Sequence, residues 1–355
     1  MREERERFAL RHLLRHIAIN DVSFNAAQSS ALKLSYMCLD RNFCIPNKDT
    51  LRTKMIDLAH EIKEETLKEI AGQKVSLMID GSSRWEVHYI AAVIFTVKRL
   101  YLYSVVAITD QTSITLANVI ASIVTELNDN NTTVISVNTD NAANNIRALN
   151  GDENSAQELS NSHFIRQPCA AHTLNLVICD AFKNKNAPLH EIYADAATLI
   201  KHAPRGENRV GSHPKFISIR WQSFYECFKF IKDNKFGYLE SENEDICNLY
   251  SKHPWETILN ILDILQKFLK SIANDLSTIV DIISAYYIAE KNLVLLQHPI
   301  ANTVLEKLRT RFMSTCKLLL PWAAFLCTHD GLVYYRNKVI EQPTLFNDIK
   351  NALSI

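Results

Sequence analysis

The chain has 355 residues, which at about 150 residues per domain leaves room for two domains or for one carrying a large insertion. Lys plus Arg and Asp plus Glu number 39 each, so the formal net charge is zero; bulk positive charge cannot hold such a chain on nucleic acid, and only local patches can. Hydrophobic residues at 47 % exclude an intrinsically disordered chain, and only 7 glycines and 9 prolines argue against a turn-rich β-sandwich.

The N-terminus, MREERERFALRHLLRHIAIN, is charged from its second residue and lacks the apolar run of a signal peptide. Leu10, Leu13, Leu14 and Ile17 recur at helical spacing, and residues 51–70 form a charged helix with Met55, Leu58, Ile62 and Leu67 on one side. Residues 1–71 therefore read as an N-terminal helical region. The texture changes at Gly72. KVSLMIDG (74–81) reads as a buried strand closed by Asp80 and Gly81, and HYIAAVIFTV (88–97) and LYLYSVVAI (100–108) as a hairpin turning at Lys98-Arg99. From Ser113 to Leu127 the period becomes helical, with Leu116, Val119, Ile120, Ile123, Val124 and Leu127 on one face.

TTVISVNTD (132–140) is a further strand ending in Asp, followed by a short helix, NAANNIRAL (141–149), and a polar loop (150–163). HFIRQP (163–168) is a strand stopped by Pro168, and CAAHTLNLVICDAF (169–182) a helix with Leu174, Val177, Ile178 and Ala181 facing inward. The order across 72–185 is β-β-β-α-β-α-β-α, an α/β core. Beyond 186 the pattern is helical, at 187–202, 219–232, 255–273, 276–296 and 300–320, with polar segments 203–214 and 232–254 between. Residues 186–355 thus read as a bundle or inserted domain.

Eight cysteines form no Cys-x-x-Cys pair, so neither a zinc ribbon nor a paired-cysteine redox motif is suggested, and a reducing compartment is the expectation. No apolar stretch approaches the ~20 residues that cross a bilayer. A soluble intracellular protein is expected.

Chemistry concentrates on two aspartates. Asp80 ends the first strand and Asp140 the fourth, and a connection through a hairpin and a helix brings those strands side by side, about 4.8 Å apart. Two carboxylates at the same ends of parallel neighbours suit a hard divalent ion, Mg²⁺ or Mn²⁺. Each also has a plain structural reading: Asp140 as cap of the following helix, Asp80-Gly81 as a turn. Cys169 and His172 open a helix at i, i+3, which is half of a zinc site without a second pair at finger spacing, so a structural role is expected. Arg220-Trp221 offers a cation for phosphate and a ring for base stacking, or simply the start of an amphipathic helix.

In this order, DGSS, VNTDNAANN, PCAAHTLNLVI and IRWQSF resemble the hAT superfamily of transposases and its transposase-like relatives, over roughly residues 50–300. The resemblance implies an RNase H-like core interrupted by an all-helical insertion, cutting DNA at transposon ends with Mg²⁺ held by two aspartates and a glutamate. By motif position Asp80 and Asp140 would be the catalytic and metal-binding aspartates. Cys169 and His172 would lie close to the site, and Arg220 and Trp221 would contact DNA, Trp221 near a hairpin end. Three features depart from the family: no pattern for a BED-type zinc finger, Gly-Ser-Ser-Arg after Asp80 where an aromatic often follows the glycine, and no assignable third acid or C-terminal dimerisation segment. Glu290 and Glu306 lack the motif context of that acid. The expectation is a transposon-derived nuclear protein, incomplete for strand cleavage and transfer, with DNA or chromatin as partner and a homo-oligomer possible. The alternatives are a domesticated, non-catalytic interaction module and a cellular RNase H-like nuclease.

Overall fold

A computed structural model describes residues 2–20, 22–39, 44–84, 86–96, 98–150, 164–203, 214, 221–273 and 279–312. Its sheet has five strands: β1 (Lys74–Arg84), β2 (Val87–Phe95), β3 (Leu100–Ile108), β4 (Thr133–Thr139) and β5 (Ile165–Pro168), in the order β3-β2-β1-β4-β5. Alternate residues bury one face of it: Val75, Leu77 and Ile79 of β1 and Ile90, Ala92 and Ile94 of β2 are all at most 4 % exposed. β1–β2 and β2–β3 pair antiparallel, with a register shift at Ala92/Val93. β4 runs parallel to β1, since Gly72 N–H donates to Asn131 O, Thr133 N–H to Gln73 O, and Ser136 Oγ to Ser76 Oγ at 2.7 Å. The protein is thus mixed α/β, with a mixed sheet and many helices.

The first strand does not end at Asp80. It runs on to Arg84, with Asp80 opposite Ala91 and Arg84 opposite Val87. The Asp-Gly turn signal loses because β2 begins only at Val87, so ladder hydrogen bonds hold 80–84 extended. The left-handed residue that the reversal needs is Glu86, at φ 66°. A glycine fills that role elsewhere: Gly72, at φ 76°, ends the preceding helix.

The chain divides inside β4 into two compact units, residues 1–137 with 151–164 and residues 138–150 with 165–355. In the first, the Arg2–Ile19 helix buries Leu13, Leu14 and Ile17 with Leu51 and Leu58 of the Lys48–Ile70 helix. The stripe expected on that second helix drifts. Ile62 is 39 % exposed, while Thr66 and Ile70 are buried, because the helix meets the N-terminal helices with its first half and β3 with its end. Lys63 pairs with Glu126 of the Ser113–Asp129 helix at 2.7 Å and lies over the Tyr103 ring.

In the second unit a helix (Ala170–Ile178) continues as a π-helical turn (Cys179–Lys183). Helices His190–Lys201, Trp221–Asp233, Lys235–Leu239, Glu244–Ser251, Trp255–Ile272, Ile279–Leu295 and Pro299–Thr310 follow. The segment 232–254, expected to be a polar separator, holds two short helices. Its Tyr238 and Tyr250 stack at 5.5 Å and are buried, which gives this charged stretch its own apolar anchor. The stripe Ile258, Ile261, Leu262, Leu265 and Phe268 is buried as its spacing requires, beside an aromatic cluster of Phe182, Phe224, Phe228 and Trp255. The expected helix 300–320 is described to residue 312; its remainder lies outside the described residues. Among the described residues no helix is long and apolar enough to cross a membrane.

Candidate metal centre

Within the first unit, the Ser76–Ser136 hydrogen bond fixes the register of β1 on β4. Asp80 lies four residues beyond Ser76, on the face of β1 opposite Leu77 and Ile79, which are buried. Its side chain is exposed; Oδ1 accepts the N–H of Gly81 at 3.0 Å, and Oδ2 has no hydrogen-bond partner among the described residues.

Asp140, four residues beyond Ser136, follows the last residue of β4 in the second unit. It is half-buried, and Oδ1 accepts the N–H of Ala142 at 2.8 Å and Nδ2 of Asn145 at 2.6 Å. This is the capping role of a carboxylate ahead of a helix, here Ala143–Asn150. It engages one oxygen only: Oδ2 has no hydrogen-bond partner among the described residues.

The loop carrying Asp140 is stitched to the start of the helix after β5. Cys169 N–H donates to Thr139 O at 2.7 Å, and Cys169 O accepts both the N–H and the Oγ1 of Thr173 at 2.9 Å. Thr173, fully buried, accepts Nδ2 of Asn141 at 2.8 Å. Cys169 is the N-cap residue, with ψ 118°, so it stands outside the helix and does not share a helical face with His172 as the i, i+3 spacing suggests. His172 is half-buried in the first turn of the helix. Among the described residues no group of three or more His, Cys, Asp or Glu side chains converges in a way that could hold a metal ion.

Arg166 of β5 completes the surroundings of Asp140. Burial pulls its guanidinium below the ordinary range, and the Asp140 carboxylate acts in the opposite direction. Its Nε and Nη2 atoms are buried without a hydrogen-bond partner among the described residues, as are Oδ1 of Asn141 and Oδ1 of Asn175. The sequence reading passed over Asn141, Asn145, Arg166 and Thr173. The signal for the first two was their place in VNTDNAANN directly after Asp140, and for Thr173 its place in CAAHTLNLV; Arg166 carried none.

Trp221 opens its helix, but its side chain and all of Arg220 lie outside the described residues. Glu290 is buried and accepts Nε of Arg309 at 2.7 Å, so it joins two helices; Glu306 is exposed and pairs with Lys307 beside it. No family model and no curated protein matches the chain.

Proposed function

We propose that this is a hAT-type, transposon-derived protein with an RNase H-like core and a helical insertion, acting on DNA in the nucleus. We propose further that Asp80 and Asp140 hold a divalent ion, Mg²⁺ or Mn²⁺. The observation that carries the reading is the strand order, with an antiparallel hairpin on one side of β1 and parallel β4 on the other. Asp80 lies in β1 within DGSS, and Asp140 directly follows β4 within VNTDNAANN.

The donor set fits a hard cation. Each carboxylate keeps one oxygen free of hydrogen bonds among the described residues, and oxygen donors with water at the remaining positions suit Mg²⁺ better than thiolate or imidazole. A bound ion would supply Lewis-acid polarisation of a phosphodiester oxygen. The chain's own part is orientation. Asn145 and the Ala142 amide fix Asp140, and the Asn141–Thr173–Cys169 chain of hydrogen bonds fixes the loop that carries it. Arg220 and Trp221 would meet DNA, as a phosphate cation and a stacking ring.

One observation favours a second reading, a domesticated module without strand-cleaving chemistry. No third acid joins the aspartates among the described residues, and buried Glu290 is committed to Arg309. Mn²⁺ titration followed by electron paramagnetic resonance tests the metal reading common to both. Binding should fall at least tenfold in Asp80→Asn and in Asp140→Asn; binding that survives both substitutions rejects the ligand assignment.

A further inference from the structure

An arginine with a half-buried side chain is normally tied down, because an unpaired guanidinium removed from water forfeits hydration without recovering hydrogen bonds. The second unit follows that rule where it is only architecture. Arg311 donates to Asp180 at 2.6 Å, joining one helical element to another. Arg166 breaks it. Its Nε and Nη2 are shielded from solvent and have no hydrogen-bond partner among the described residues. The Asp140 carboxylate acts on it, yet no ion pair joins the two among the described residues. Cys169 N–H on Thr139 O ties the end of β5 to the end of β4. Asp140 is meanwhile turned to its own helix by Ala142 and Asn145.

The arrangement is a cation with two donors vacant among the described residues on one edge of the guanidinium, beside a carboxylate with an oxygen vacant in the same sense. Nε and one Nη form the fork that matches two oxygens of a phosphate or carboxylate, a geometry that lysine cannot reproduce. The function proposed above makes the phosphate of a nucleic acid the pair of oxygens that this fork would meet.

We propose that Arg166 is a phosphodiester-binding residue, its Nε and Nη2 donating to the non-bridging oxygens of a DNA phosphate placed beside Asp140. This deepens the function proposed above and rests on it for the identity of the ligand, but not for the vacancy of the donors. Arg166 also differs from Arg220 and Trp221 in kind: it lies in a strand of the core and would hold the backbone at Asp140.

The test uses the full chain and a fluorescein-labelled oligothymidylate, read by anisotropy across a salt series, with and without Mn²⁺. Arg166→Ala should weaken binding by about tenfold or more, and the slope of log affinity against log salt should shrink by about 0.7, the value for one lost contact to a single strand. Arg166→Lys keeps the charge but not the fork, so it should keep the slope and lose severalfold in affinity. Mn²⁺ affinity measured without DNA should not fall in either. Unchanged oligonucleotide affinity and slope in Arg166→Ala overturn the inference. If that variant does not fold, Arg166→Lys decides, and wild-type affinity there overturns it equally. Failure of the metal reading is separate: wild-type protein would bind no Mn²⁺, while the loss on Arg166→Ala would persist in EDTA.

Discussion

The helical part of the second unit and the loop between β4 and the following helix handle buried polar groups in opposite ways. Among the helices they are paired and serve packing. His253 meets Asp195 at 2.7 Å, buried Glu290 answers Arg309 at 2.7 Å, and Arg311 meets Asp180 at 2.6 Å. Around Asp140 the local bonds are just as short, but Oδ1 of Asn141 and Nε and Nη2 of Arg166 are buried without partners among the described residues. Native chains tolerate few such atoms, since each costs about 1–3 kcal/mol. The contrast teaches where to look for a ligand: in the region whose polar groups are held in place but left unanswered.

The contrast can be broken most forcefully on the packed side. Phe228 is 1 % exposed and meets Phe224 at 4.7 Å and Trp255 at 5.9 Å. Phe228→Ala should cost about 3–5 kcal/mol in denaturant unfolding; a loss under 1 kcal/mol would mean that the aromatic cluster is not a consolidated core. On the other side, Thr173→Val keeps the shape but strips the acceptor from Asn141 Nδ2. It should cost about 1–3 kcal/mol and lower Mn²⁺ affinity as well, because the Asp140 loop loses its tether. Loss of stability with full metal affinity would make the tether architecture alone.

Much of this was legible in the sequence and some was not, for definite reasons. Periodicity located the buried face of the 113–129 helix because burial there is one-sided. It failed on the 48–70 helix, where Ile62 lies between two successive neighbours and faces solvent. Asp80-Gly81 misled as a turn because local propensity cannot see the partner strand that keeps 80–84 in the ladder. The two aspartates stood out as strand-terminal carboxylates. Thr173 and Arg166 did not, since what marks them is a hydrogen bond to a residue 32 positions away in one case and its absence in the other.

Smaller effects sharpen the comparison. Trp221→Ala should weaken binding to DNA hairpins by about tenfold and to plain duplex less; equal losses would deny Trp221 a role at hairpin ends. Glu290→Gln should leave Mn²⁺ affinity unaltered, because its carboxylate answers Arg309; lost affinity would make it the missing third acid. The least effect is expected at Asp110, exposed at the start of the 113–129 helix. Hydrogen bonds from Thr115 and Thr112 hold its carboxyl down at about 2, below the ordinary carboxylate range. Its contribution is therefore complete above that ordinary range and fades as pH falls from about 4 towards 2. An Asp110→Asn chain should show a flatter loss of stability across that acid window than wild type, and an identical slope would contradict the assignment.

The most direct measurement is anomalous diffraction from crystals of the protein soaked in Mn²⁺. A single peak within about 2.1 Å, an ordinary distance for a hard cation to oxygen, of one carboxylate oxygen each from Asp80 and Asp140 is the expected result. A peak bound to only one of them, or to neither, would contradict the proposal that these two aspartates share an ion.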